Sequence, residues 1–434
     1  MKKLLLHIFL LAFALILFPG SLFAQQPERC ASVHYNKMLE QNNPALAEER
    51  RIGDELVARL VSERNFKSTR SVITIPVVVH VVYRTNLENI PDSQIHSQID
   101  VLNEDFGRTN ADAALTPSAF APVASNTGIQ FCLATRKPNG DWTNGIERRQ
   151  TTVIEWLPDD YMKYYSQGGL DIWDPTSYLN LWVCNLGSNF LGYSTDPIPV
   201  DLLRDGVVIR YRSFGRVGYL TAPYDKGRTA THEVGHWLNL RHIWGDDGGT
   251  CINPDNIYDT PNQADFTLGC PVFPVYDACS YPGCEATQDT SNPCSSFGIM
   301  FMNYMDYTDD ACMNIFTQEQ ASYMQTAIDT FRSTLYNSSG CSPAIGIGEI
   351  SEGQRISIYP NPAGNEIRIA CSGNADEKFS LSVYDVTGKE ILSQEKFTCA
   401  DNIPVNISSL VRGVYFLKLK GARLSAASRF VVIR

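Results

Sequence analysis

The run His232-Glu233-Val234-Gly235-His236-Trp237-Leu238-Asn239-Leu240-Arg241-His242 constrains this chain more than any other stretch, because it holds three of only seven histidines. His232 and His236 stand at i and i+4, which stacks two imidazoles one turn apart on one side of a helix, where they can grip a single divalent metal. Glu233, next to the first, is the candidate general base for metal-assisted hydrolysis. His242 supplies a third imidazole, and three protein ligands leave the fourth zinc position open, the mark of a catalytic rather than a structural site. A helix that ran on would carry His242 away from its partners, so the backbone must turn sharply. Asn239 stands at the turning point and tolerates the left-handed conformation that ends a helix. With histidine this scarce, the pattern arises by accident in roughly one of ten thousand such chains. His80, lone in a buried β-branched run, and His96, on the polar face of a helix, read as structural.

Residues 1–24, with Lys2 and Lys3 before an apolar run from Leu4 to Phe18, read as a secretory signal peptide. That run is shorter than the roughly 20 residues that span a bilayer, and no later stretch approaches that length, so no transmembrane segment is expected. Export makes a disulfide framework the first reading of the 12 cysteines, six of which crowd between Cys251 and Cys312. A net charge of −11 argues against nucleic acid as a partner.

Residues 25–70 are polar, with Leu46, Leu56, Val57 and Leu60 at helical spacing, and read as a leader rather than part of a core. Residues 71–341 read as an α+β domain with a mixed twisted sheet. Its strands are expected at Val72–Tyr83, Ile129–Thr135, Tyr178–Leu186 and Gly206–Phe214, and helices over Ile95–Phe106, from Thr229, and over Thr317–Tyr336. A Gly-rich linker, 342–353, precedes short alternating segments over 354–434 that predict a small all-β sandwich, which Cys371 and Cys399 could staple.

HEVGHWLNLRH resembles the extended zinc signature of the metzincin metallopeptidases, HExxHxxGxxH, with Asn239 in place of the usual Gly. The flanking GRTATHEVGHWLNLRHIWGD and the downstream NYMDYTDDACM are most similar to the pappalysin branch, which includes ulilysin-like bacterial peptidases. The resemblance covers roughly residues 28–340 and implies a secreted zinc endopeptidase made as a zymogen and acting on proteins or peptides. It implies that Met305 floors the site and that Tyr307 stabilises the oxyanion formed on the scissile carbonyl. Asp310 would line the pocket for the residue just after the scissile bond and favour Arg or Lys there. Asp255, the Ile257 carbonyl and Thr260 match positions of a calcium site. The family pattern implies the bridges Cys251–Cys279 and Cys270–Cys312, leaving Cys284 and Cys294 as a local pair, while Cys132 and Cys184 are paired or free.

Glu28-Arg29-Cys30 resembles the cysteine switch of related proenzymes, in which a thiolate fills the open metal position until the leader is removed. The alternative for Cys30 is a disulfide with Cys341. Arg64, Lys67 and Arg70 offer basic sites for activation. The C-terminal segments YPNPAGNEIRI, VYDVTGKEIL and SSLVRGVYFLKL resemble the sorting domain of type IX secretion substrates, which implies that machinery as a partner and release to the medium or the outer cell surface. A surface adhesin built on a peptidase scaffold is the competing reading, and the intact His232, Glu233, His236 and His242 speak against it.

Overall fold

The computed structural model describes residues 28–63, 72–187, 190–198, 202–246, 248–249, 251, 255–280, 296–342, 356–371, 378–386, 389–398, 403–420 and 425–433. The signal segment, the basic sites Arg64, Lys67 and Arg70, and the cysteines Cys284, Cys294 and Cys399 lie outside them, as does the side chain of Cys371. Two compact units separate: one takes residues up to Ala134 together with Gly145–Gly340, and the other takes Thr135–Asn144 with Cys341–Arg434.

The first unit is built on a seven-stranded sheet. Its strands are β1 (Glu28–Cys30), β2 (Ile73–Tyr83), β3 (Ile129–Leu133), β4 (Ile146–Gln150), β5 (Leu179–Cys184), β6 (Phe190–Ser194) and β7 (Val207–Arg210). The order is β1-β6-β7-β5-β2-β3, with β4 also paired to β2. All neighbours are parallel except β6 against β7. The β-branched run of β2 fills an interior position, between β5 and the β3 and β4 pairings, because a strand covered on both faces gains most from Val and Ile. β4, IERRQ, and β6, FLGYS, escape the hydrophobic pattern: β4 is largely polar and β6 has a glycine at its middle.

Among the described residues five α-helices accompany the sheet: α1 (Ser32–Asn42), α2 (Pro44–Glu63), α3 (Asp92–Phe106), α4 (Arg228–Trp237) and α5 (Gln318–Phe331). On one face, Val77, Val79, Val81, Leu181, Val183 and Ile209 of the sheet pack with Ile95 and Leu102 of α3, Val234 of α4 and Ile328 of α5. Alternate residues such as Trp182, Cys184 and Val208 face the other way. Thr317 and Gln320 close a capping box on α5, satisfying amide groups that the helix start leaves open.

The leader departs from its expected independence. Val57 and Val61 of α2 lie in the main core, Tyr35, Leu39 and Leu46 are buried against the opposite sheet face, and β1 extends the sheet itself. The helical spacing was legible, but two helices cannot bury their apolar stripes against each other alone and take the neighbouring sheet instead.

In the second unit two antiparallel sheets form the all-β tail. One orders β11 (Glu390–Thr398), β10 (Lys378–Tyr384), β13 (Gly413–Lys420) and β14 (Ser425–Val432); the other orders β12 (Ile403–Asn406), β9 (Glu366–Cys371) and β8 (Ile356–Tyr359). Ile367, Ile369, Leu381, Val383, Leu417, Leu419 and Phe430 make its core. No helix of the described residues is long and apolar enough to cross a membrane.

Candidate metal centre

α4 carries His232 and His236 and stops one residue later. Asn239 adopts φ 74°, and the Leu240 amide donates back to the Gly235 carbonyl at 2.9 Å, which turns the chain so that His242 faces the helix it has just left. The three Nε2 atoms then stand 3.0, 3.1 and 3.2 Å apart. Ligands about 2.0–2.1 Å from a tetrahedral zinc are separated by about 3.3 Å, so the spacing fits.

Each ring is held from behind. Nδ1 of His232 donates to the Tyr304 carbonyl and that of His236 to the Leu240 carbonyl, both at 2.8 Å, and that of His242 to the Asp246 carboxylate at 2.9 Å. These partners put a proton on each Nδ1 and turn every Nε2 toward the others. Burial first, then the neighbouring imidazoles, pushes His232 well below its ordinary value; burial and His242 push His236 down to about 3. Three imidazole Nε2 atoms converging at this distance, each ring tied back through Nδ1, suit a cation placed between them. The donor set therefore fits zinc.

Cys30 completes the cluster: its Sγ and the three imidazole nitrogens all lie within 4.8 Å of one another. It is a free, buried cysteine, while Cys341 is disulfide-bonded, so the Cys30–Cys341 alternative does not stand. Burial and the Glu233 charge push its thiol well up. Glu233 is fully buried and pushed up to about 8 by burial. Its Oε2 accepts from Ser32 Oγ at 2.9 Å and Cys30 Sγ at 3.4 Å, while Oε1 has no hydrogen-bond partner among the described residues.

The floor and walls follow from the chain after residue 300. Met305 is buried beneath α4, where a Cβ on Gly235 would stand 2.5 Å from its Sδ, so glycine is required for that approach. Gly192 of β6 is needed likewise, its added Cβ meeting Glu233 Cγ at 2.9 Å. Tyr307 packs with its ring centre 5.0 Å from His242 and donates its phenol to the Cys30 carbonyl at 3.3 Å.

Asp310 is buried, not a solvated loop residue. Its Oδ2 accepts from the Lys226 and Arg228 amides, and its Oδ1 accepts from the Arg29 guanidinium at 2.7 Å. Arg29 also donates to the Thr308 carbonyl at 2.7 Å, with its guanidinium carbon 5.4 Å from the centre of the Tyr224 ring.

Asp255, Ile257 and Thr260 come together as well: Thr260 Oγ1 lies 2.7 Å from Asp255 Oδ2 and 3.0 Å from the Ile257 carbonyl. Burial pushes Asp255 up to about 8 and nearby Glu319 up to about 7. Disulfides join Cys251 to Cys279 and Cys270 to Cys312, Cys132 is disulfide-bonded, and Cys184 is free.

Sequence reasoning missed Arg29 and Ser32 as site residues. Arg29 had a signal, because a pocket read as selecting Arg and a leader whose switch cysteine follows an arginine are two halves of one contact.

Comparisons with known proteins agree with this geometry. Residues 164–329 match the family described as Pregnancy-associated plasma protein-A, and residues 357–433 match the Secretion system C-terminal sorting domain. An extracellular metalloprotease of Arthroderma otae is 33% identical over 267 residues, which span 60% of this chain and 79% of the relative. Mature mirolysin of Tannerella forsythia in complex with a cleaved peptide is 52% identical with a TM-score of 0.57, covering 62% of this chain and 97% of that one. A promirolysin variant of Tannerella forsythia is 47% identical with a TM-score of 0.63, covering 71% and 97%. The chain belongs to the pappalysin family of metallopeptidases and is a secreted or cell-surface metalloprotease with a C-terminal sorting domain.

Proposed function

We propose that this protease is held latent by its own leader and, once the leader is removed, cuts peptide bonds on the amino side of Arg or Lys. The observation that carries the reading is Arg29 in the buried Asp310 pocket, one residue from Cys30 among the histidines. A guanidinium that pairs with a buried carboxylate inside the leader marks the side chain that the pocket is built to accept.

Direction explains why the leader persists. In the leader the arginine precedes the residue at the metal centre, whereas in a substrate the residue after the scissile bond must follow it. β1 runs parallel to β6. A substrate using the same pocket runs the opposite way, antiparallel to β6, and the leader lies in the cleft backwards with no bond presented correctly.

His232, His236 and His242 would hold zinc, which when bound polarises the carbonyl and acidifies water. Removing the leader takes Cys30 Sγ and Ser32 Oγ away from Glu233, whose carboxylate is then free to accept a proton from water and pass it to the leaving amine. Tyr307, which donates to a leader carbonyl, would donate to the scissile carbonyl as charge develops there. Asp310 orients the substrate by its basic side chain. Asp255, the Ile257 carbonyl and Thr260 would bind calcium, whose charge favours ionisation of carboxylates that burial otherwise keeps protonated. The tail would serve export through a type IX machinery.

The test is a digest of mixed peptides by the processed chain, with and without a chelator, followed by sequencing of the new amino termini. Arg or Lys should lead the new termini, and chelation should stop cleavage. Termini without basic preference would refute the specificity.

A further inference from the structure

Tyr35 of α1 enters a polar cradle on the sheet face away from the metal centre. It is fully buried, and its phenol donates to Asp160 Oδ2 at 2.6 Å. Asp160 Oδ1 accepts from Tyr193 of β6 at 3.0 Å and pairs with Lys163 Nζ at 2.8 Å. Lys163 is also fixed, donating to the Arg204 carbonyl at 2.5 Å and lying 5.3 Å from the centres of the Trp182 and Tyr193 rings. The Tyr35 ring packs 4.9 Å from that of Tyr193.

We infer that this cradle of Asp160, Lys163 and Tyr193 is, in the processed enzyme, an exosite that takes a tyrosine side chain of a polypeptide substrate. Every member except Tyr35 belongs to the body of the protease. When the leader leaves, Asp160 Oδ2 loses its hydroxyl donor and, among the described residues, keeps the Arg204 guanidinium 3.6 Å away. A carboxylate oxygen that has lost its hydroxyl donor, with an aromatic wall and a cation beside it, offers a phenol a partner that a plain phenyl ring cannot use.

The place of the cradle along a substrate also follows. Arg29 occupies the pocket for the residue after the scissile bond, so the chain beyond Cys30, including Tyr35, leads toward the side that receives residues before it. The tyrosine therefore lies several residues upstream of the cleaved bond. This inference rests on the Arg-directed peptidase reading.

The test walks a single tyrosine through successive upstream positions of quenched peptides that share one Arg after the cleaved bond, with phenylalanine at the same positions as control. At one or two adjacent positions KM should be about tenfold lower for tyrosine than for phenylalanine, with kcat unchanged. Free N-acetyltyrosinamide should raise KM for those peptides only, and N-acetylphenylalaninamide should not. Asp160→Asn should erase the tyrosine advantage while an Arg peptide without the upstream extension is still cut; the N-acetyltyrosinamide competition on the unaltered protein decides the matter if that variant does not fold. Equal KM values for tyrosine and phenylalanine at every position overturn the exosite. Failure to cut the short Arg peptide overturns the underlying specificity reading instead.

Discussion

The three-histidine centre and the Asp255 loop are both buried polar clusters in the same unit, yet they answer burial in opposite ways. At the centre, each imidazole spends its Nδ1 proton on an acceptor behind it, so the three Nε2 atoms are left facing one another. In the loop, Asp255 accepts from Thr260 and from the Ile257 amide, and Thr260 also reaches the Ile257 carbonyl. The first arrangement is imposed by its surroundings and calls for a cation; the second closes on itself, and a cation would only strengthen it. A donor set held open by outside partners is thus a stronger sign of a resident metal than a cluster of acids.

The largest expected effect separates chemistry from metal binding at the open centre. Glu233→Ala should lower kcat/KM at least about 10³-fold, while zinc content measured by elemental analysis stays equimolar. Loss of zinc along with activity would mean that Glu233 holds the geometry rather than the proton. Next, Asp310→Ala in the processed enzyme should lower cleavage before Arg about 10²-fold and leave residual cleavage before Leu unchanged, read from peptide pairs. The same substitution in the full chain leaves Arg29 buried without its carboxylate, so the leader should be released sooner.

A smaller effect tests the outside hold directly. Asp246→Ala should weaken zinc binding about 10- to 100-fold in a competition with a chelating dye, because His242 then loses the acceptor that orients it. An unchanged affinity would break the contrast between the two sites.

The smallest effect belongs to the loop. Adding calcium to zinc-loaded protein should raise the melting temperature by a few degrees. The sign with pH follows from the carboxylates. Without calcium, Asp255 titrates at about 8 and Glu319 at about 7 in the folded chain, against roughly 4 when unfolded. The folded state therefore holds protons that the unfolded state has shed, and their contribution to stability is full below about pH 4 and lost as pH rises through roughly 7 to 8. Calcium requires the ionised forms, so the calcium-dependent gain should grow between pH 6 and pH 8. A gain that is flat across this range would detach Asp255 and Glu319 from the cation.

How legible the site was depended on how local its logic is. His232, Glu233, His236, Asn239 and His242 lie within one helix and its turn, so spacing alone implied their convergence. β2 was legible because a doubly covered strand needs an unbroken apolar run. β1 carried no pattern, since Glu28-Arg29-Cys30 joins the sheet through backbone pairing and its side chains serve the cleft. β4 and β6 were hidden because a polar strand and a five-residue strand with a central glycine show little alternation.

The local chemistry of this protein, two imidazoles and a carboxylate on one helical turn with a residue suited to end it, was written in consecutive positions, because helix geometry converts spacing into direction without help from the rest of the chain. Only the folded chain decided that Arg29 would meet Asp310, that Ser32 and Cys30 would cover Glu233, and that Tyr35 would reach Asp160. Those contacts join residues 125 to 281 positions apart. They exist because burying the leader's apolar stripe on the sheet carries its polar side chains into places where each must find a partner or lose its hydration uncompensated.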